Sequence, residues 1–174
     1  MKWEVDWHGQ KYGMEWSDET DFESLENVIQ SYGFVFDKDG KLCIIDCNGH
    51  WCLPGGKPEE EDDNFDDTLI REVDEEADLD IKNIKRVGFF KCTALSDNCE
   101  MKGVHHTLRY VAEVDKIKEQ TLDPANGKVP LRKFIDTKDF LEHVGWENGD
   151  FQLKKALEVF NGKRRIQYNR EILF

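Results

Sequence analysis

An α/β sandwich is the architecture this sequence predicts, and three observations predict it. Alternating strand-like segments lie on both sides of one acidic helix, further helices close the chain, and no internal repeat or low-complexity linker divides it. With 174 residues the chain has room for one domain with a substantial core and is too short for two ordinary ones. Its 39% hydrophobic and 11% aromatic content is globular, although 35% of the residues are charged.

The elements follow in chain order. Residues 1–30 form a polar, Trp-rich lead-in, in which Trp3, Val5 and Trp7 alternate as in a short strand and "SDETDFESLENV" reads as a loop or helical turn. "IQSYGFVF" and "KLCIID" read as strands, joined by the hairpin turn "DKDG", where Gly40 supplies a positive φ. "NGHW" is a second turn. Beyond the acidic helix, "IKNIKRVGFFKCTAL", "HHTLRYVAEV" and "KVPLRKFI" read as strands. "TKDFLEHV" and "GDFQLKKALEVF" read as helices, the second with Phe151, Leu153, Leu157 and Phe160 near helical spacing. The tail "GKRRIQYNREILF" reads as a last strand or an ordered tail, with its basic cluster closing the preceding helix, where cations are favoured.

Composition narrows the partners. The five cysteines are odd in number and lack CxxC spacing, which predicts buried free thiols rather than a disulfide framework or a zinc site. No run approaches the roughly 18 apolar residues that span a bilayer, and "MKWEVDWHGQ" lacks the apolar core of a signal peptide, so a cytoplasmic protein without membrane partners is expected. A net charge of −13 works against nonspecific nucleic-acid binding. A phosphate-bearing ligand would need metal ions to offset the repulsion.

The acidity is concentrated. From Glu59 to Asp80 thirteen acids face one base, Arg71, so this segment carries nearly all of the chain's −13. Asn64 is the predicted N-cap, with Asp67 three residues on as in a capping box. Phe65, Leu69, Ile70, Val73 and Ala77 then make an apolar stripe. Glu72, Glu75 and Glu76, spaced i, i+3, i+4, share the adjacent arc. Like charges so placed repel, the more so near the core, and a hard divalent cation with oxygen ligands relieves that repulsion. Arg71, four residues before Glu75, either pins that side chain or forms a surface ion pair. Ahead of the helix, "LPGG" places Gly55 and Gly56 where the backbone turns and approaches closely.

These residues resemble the Nudix box, Gx5Ex7REUxEExGU with U aliphatic, here "GKPEEEDDNFDDTLIREVDEEADL" from Gly56 to Leu79. Gly56, Arg71, Glu72, Val73, Glu75, Glu76 and Leu79 match. Counting back from the helix, Asp63 stands at the first glutamate position, with one extra residue after Gly56, and Asp78 replaces the glycine that ends the helix. The resemblance implies a Nudix-like α/β/α sandwich with a mixed sheet over residues 31–174. Residues 1–30 are then an N-terminal extension and a candidate dimerisation arm in a homodimer. It also implies a metal-dependent pyrophosphohydrolase that cleaves a nucleoside diphosphate linked to X, with Mg²⁺ or Mn²⁺ as cofactor. An NTP, a nucleotide sugar, ADP-ribose or a dinucleotide polyphosphate is the candidate substrate. Glu72, Glu75 and Glu76 are the expected metal ligands, Asp63 a weaker ligand acting through water, and Glu72 a ligand or base. Arg71 serves catalysis by orienting Glu75, and Gly55 and Gly56 position metal or phosphate. Glu119, Asp123 and Glu100 are candidates for a further acid outside the box. Trp51, beside the glycine loop, is the candidate base-stacking residue. Arg109 shares a strand face with His105 and is the candidate polar contact, although a solvent-exposed face is the plainer reading of that strand. A Nudix-fold nucleotide sensor without turnover is the alternative function.

Overall fold

A computed structural model of the chain describes residues 1–122, 127, 129–146 and 148–171, with 163–171 as backbone alone. Strands β1 (Lys2–Trp7), β2 (Gln10–Ser17), β3 (Val28–Phe36), β4 (Leu42–Asp46), β5 (Trp51–Cys52) and β6 (Gly55–Gly56) precede helix α1 (Phe65–Ala77). Strands β7 (Leu79–Ala94), β8 (Val104–Ile117) and β9 (Arg132–Ile135) and helices α2 (Phe140–Val144) and α3 (Gly149–Glu171) follow. The sheet runs β1-β2-β7-β8-β3-β4-β5, with β6 on β3 and β9 on β4. β3 and β8 are parallel, whereas β7–β8 and β3–β4 are antiparallel, so the sheet is mixed.

Period-2 alternation assigns the two layers. Val35 faces the cluster that buries Leu69, Val73 and Ala77 of α1. Its neighbours Phe34 and Phe36 face the opposite cluster, with Phe140 of α2 and Ala156 and Phe160 of α3. The result is the expected α/β/α sandwich.

Four local expectations change. Residues 10–17, read as polar lead-in, form β2 and pair antiparallel with β7, Trp16 opposite Phe90. Tyr12, Met14 and Trp16 carry the alternation, and the polar residues between them hide it. Ile70, placed on the buried stripe, is exposed, because it lies about 100° round the helix from Leu69. The tail is neither a strand nor a cap, since α3 continues through Lys163–Arg165 to Glu171. Lys, Arg, Gln and Glu are good helix formers, and Gly162 alone does not stop them. Cys47 and Cys52 form a disulfide rather than free thiols, because the β4–β5 register (Ile45 opposite Cys52) brings their Cα atoms to 6.1 Å. Cys43, Cys92 and Cys99 are free and buried, as expected.

Asp78 ends α1 in the left-handed region at φ 48°, where a glycine would be cheaper. The exit is nevertheless braced, because its carboxylate accepts hydrogen bonds from the Thr121 hydroxyl at 2.7 Å and the Thr121 amide at 3.1 Å. Hydrogen bonds to a charged group contribute about 1.5–3 kcal/mol each, which outweighs the roughly 1–2 kcal/mol of a left-handed residue. Asp78→Gly should therefore destabilise the fold by about 1–2 kcal/mol. Urea unfolding measures this, and an equal or raised midpoint would refute it.

Candidate active site around helix α1

The site is assembled by the helix start and the glycine strand. Asn64 accepts from the amides of Asp66 and Asp67 through Oδ1, as an N-cap does, and its Nδ2 donates to Asp67 Oδ2 at 2.8 Å. The register so fixed turns Glu72 and Glu76 toward β6. Gly55 lies against β3 at φ 146°, with Ser31 O only 2.0 Å from where a Cβ would stand. No other residue fits there. Gly56 comes as close to the helix, since a Cβ on it would lie 2.2 Å from the Glu72 carboxylate. Glu76 is tied to the same strand, accepting from the Gly55 amide at 2.8 Å.

Arg71 organises the acids. Its Nε donates to Asp62 at 3.0 Å and its Nη2 to Asp62 at 3.0 Å, a bidentate grip. Nη2 also donates to the Lys57 carbonyl at 2.9 Å, and Nη1 donates to Glu72 at 3.0 Å and to Glu75 at 3.4 Å. The expected pairing with Glu75 is present, but Asp62 and Glu72 lie closer. Asp62, rather than Asp63, is the loop acid that folds back. Asp63 is exposed, whereas the Asp62 side chain is 6% exposed and also accepts from Thr68. The extra residue therefore falls between the loop acid and the helix, not between Gly56 and the acid.

The electrostatics favour a cation. Burial raises the Glu72 carboxyl above its usual range; Arg71 opposes this and Glu75 adds to it. Among the described residues no three acid, His or Cys side chains already converge closely enough to hold a metal ion. Their chemistry fits one nonetheless. Glu72 and Glu75 present hard oxygens and repel each other, and the single charge of Arg71, shared with Asp62 as well, leaves an excess of negative charge that a divalent ion would offset.

The Arg71 guanidinium holds the Asp62 carboxyl down at about 2, against 3.8 ordinarily. A depressed acid stabilises the fold above its unfolded pKa and loses that contribution as pH falls through the folded value. The stability difference between the native protein and Asp62→Asn should accordingly shrink between about pH 4 and pH 2. Parallel acid-unfolding curves check it, and a constant difference would count against the pairing.

A cavity of about 630 Å³ opens beside the glycine strand, with Lys57 and Pro58 at its rim. Arg109 lies on its wall and is only 6% exposed, which corrects the solvent-exposed reading of this strand, since the rings of Tyr32, Phe90 and Trp146 and Gln152 of α3 enclose it. His105 is buried on the same face, as the alternation predicts. Trp51 does not line the cavity; it stands on β5 with the Lys133 ammonium 5.6 Å from its ring centre. The aromatic lining comes instead from Trp3, Trp7, Tyr32, Phe90 and Trp146, which sequence reasoning missed. Gln30 and Tyr32 alternate on one face of β3, a visible signal, but the coverage of that face is not local. Glu119 and Glu100 are exposed, and Asp123 lies outside the described residues.

The NUDIX domain family model matches residues 29–154. The chain belongs to the Nudix family. A sequence comparison with curated proteins gave no match. Among solved structures, the chain resembles the Bacillus subtilis pyrophosphohydrolase BsRppH at 18% identity and TM-score 0.65, over 90% of this chain and 97% of that one. It also resembles the NUDIX domain of Shewanella oneidensis NrtR complexed with ADP ribose (17%, TM-score 0.57, 81% and 94%). An ADP-ribose pyrophosphatase from Streptococcus suis matches at 19% and TM-score 0.51, over 75% and 89%. At these identities the Nudix fold is what is shared. No helix among the described residues is long and apolar enough to cross a membrane.

Proposed function

We propose that this Nudix protein is a metal-dependent hydrolase that cleaves the pyrophosphate bond of a nucleoside diphosphate linked to another group. The observation that carries the reading is the packing of Glu72 against Gly56, with Glu75 held by the same arginine and Glu76 by the Gly55 amide. Glu72, Glu75 and Glu76 would hold Mg²⁺ or Mn²⁺. Such an ion, when bound, neutralises phosphate oxygens and lowers the pKa of a water. The chain's own residues do the rest. Arg71 orients Glu72 and Glu75, Asp62 fixes Arg71, and Gly56 leaves the room that Glu72 needs. Burial raises the Glu72 carboxyl above its usual range, which suits it to accept a proton. The fold neighbours named as a pyrophosphohydrolase and an ADP-ribose pyrophosphatase support this reaction class.

Phosphate or nucleotide release from a panel of NTPs, nucleotide sugars, ADP-ribose and dinucleotide polyphosphates, with and without Mg²⁺, tests it. Metal-dependent release from at least one is expected. The second reading, a nucleotide-binding module without turnover, is favoured by Asp62 and Asp78 standing where the family has Glu and Gly, and by the ADP ribose bound to the NrtR NUDIX domain. Tight nucleotide binding with no release from any substrate would select it.

A further inference from the structure

Arg109 is a buried cation with unusual company. Tyr32, Phe90 and Trp146 present ring centres 5.0, 5.1 and 5.3 Å from its guanidinium carbon. Nε donates to Gln152 at 2.8 Å, and Nη1 donates to the Leu108 carbonyl at 2.9 Å and to Thr107 at 3.4 Å. Neither a carboxylate nor any acceptor for Nη2 is present among the described residues. Nearby, Trp3 Nε1, Gln30 Oε1 and His105 Nδ1, all on residues that line the cavity, are buried without a hydrogen-bond partner. Buried polar atoms are ordinarily satisfied, so a cluster left open around one cavity points to a ligand that completes it.

Sheet register gives the distance to the carboxylates. Arg109 on β8 is opposite Tyr32 on β3, and Tyr32 is opposite Gly55 on β6. Two strand spacings, about 10 Å, separate Arg109 from the amide that holds Glu76. That is the reach of a nucleoside.

The chemistry narrows the group. A phosphate would need several converging donors, and here it would meet a largely aromatic lining and one free guanidinium nitrogen. A flat heterocycle stacks on such rings. Arginine and the indole N–H only donate, so the heterocycle must present acceptors to them, and Nη2, the one Arg109 nitrogen left to give, suits the O6 carbonyl of guanine. Adenine sets an amino donor where guanine has its carbonyl. Gln30 Oε1 is the acceptor for the ring N–H beside that carbonyl. We propose that this cavity binds the base of the nucleotide and selects a 6-oxopurine, guanine or hypoxanthine, over adenine through Arg109. In this arrangement Trp3 of the N-terminal hairpin, a residue outside the family match at 29–154, is a specificity-determining wall. The inference rests on the nucleotide reading above.

The test is a metal-free equilibrium titration of the full chain in EDTA with GMP, IMP, AMP and UMP, followed by intrinsic tryptophan fluorescence. GMP and IMP should bind at least about tenfold more tightly than AMP, because the free Arg109 Nη2 meets a carbonyl in the first two and an amino group in the third. They should also bind more tightly than UMP, whose single ring stacks over less area. Arg109→Met should remove the preference, and Trp3→Phe, which keeps a ring but no donor, should weaken GMP binding with AMP little changed. If Arg109→Met does not fold, the wild-type ranking and Trp3→Phe decide the matter. AMP binding as tightly as GMP, UMP binding more tightly than either, or no binding of any of the four at millimolar concentration overturns the proposal. Selective binding without turnover in the hydrolysis panel would overturn only the hydrolase, and turnover without base preference only the present inference.

Discussion

Glu75→Gln should lower kcat by about a thousandfold while leaving the fold intact. Glu75 stands in the last turn of α1, one third exposed, with Arg71 Nη1 at 3.4 Å and its charge acting on Glu72. Glutamine keeps the size and helix propensity of glutamate and removes one hard ionised oxygen. A metal ion contributes several kcal/mol to stabilising charge in such a transition state. Losing about 4 kcal/mol of that is about three powers of ten in rate. Stability should move little, because one member of a mutually repelling pair has gone. Steady-state nucleotide hydrolysis beside a thermal melt separates the effects. A kcat within about tenfold of native, with the fold intact, would mean that the helix carboxylates do not carry the chemistry.

Gly56→Ala is the second large effect, and it reaches the same site from the other side. The added methyl would stand 2.2 Å from the Glu72 carboxylate, closer than any van der Waals contact. What collides is the far end of a flexible side chain, so the backbone can keep its place on β3 while the carboxylate is pushed away. The fold should therefore survive and the site should not. Displacing a group that orients metal ligands typically costs about 10–100-fold in metal affinity or activity, and a displaced ligand at least that. Gly162→Ala is the control, since nothing lies within 4 Å of its added methyl and it sits in α3. It should retain full activity and gain about 0.5–1 kcal/mol in stability. Activity measured for both proteins decides the point, and an active Gly56→Ala would show that Glu72 need not stay where it is.

Local pattern made α1 legible. The Asn64 cap, the Leu69, Val73 and Ala77 stripe and the glutamate arc follow from helical spacing alone, and the helix lies at Phe65–Ala77 with the cap in place. The glycine loop was legible for a similar reason, since two adjacent glycines before an acidic helix imply close approach. The acid that returns to Arg71 was not. Asp62 and Asp63 are adjacent and chemically identical, and only the path of the loop chooses between them. Arg109 was half legible. Its face on β8 follows from alternation with His105, but its burial depends on Tyr32, Phe90 and Trp146 from elsewhere in the chain and on a helix forty residues later. Ile70 shows the limit of the stripe argument in the other direction, because an apolar residue at the edge of a helical face need not be covered.

The central claim is that α1 holds divalent cations against a phosphate anhydride. Mn²⁺ titration of the native chain, read by electron paramagnetic resonance with and without a non-hydrolysable nucleotide, tests it most directly. Saturable Mn²⁺ binding that nucleotide tightens and Glu75→Gln weakens is the predicted result. Native protein that binds no Mn²⁺ even with nucleotide present, or a Glu75→Gln protein that binds it equally well, contradicts the account.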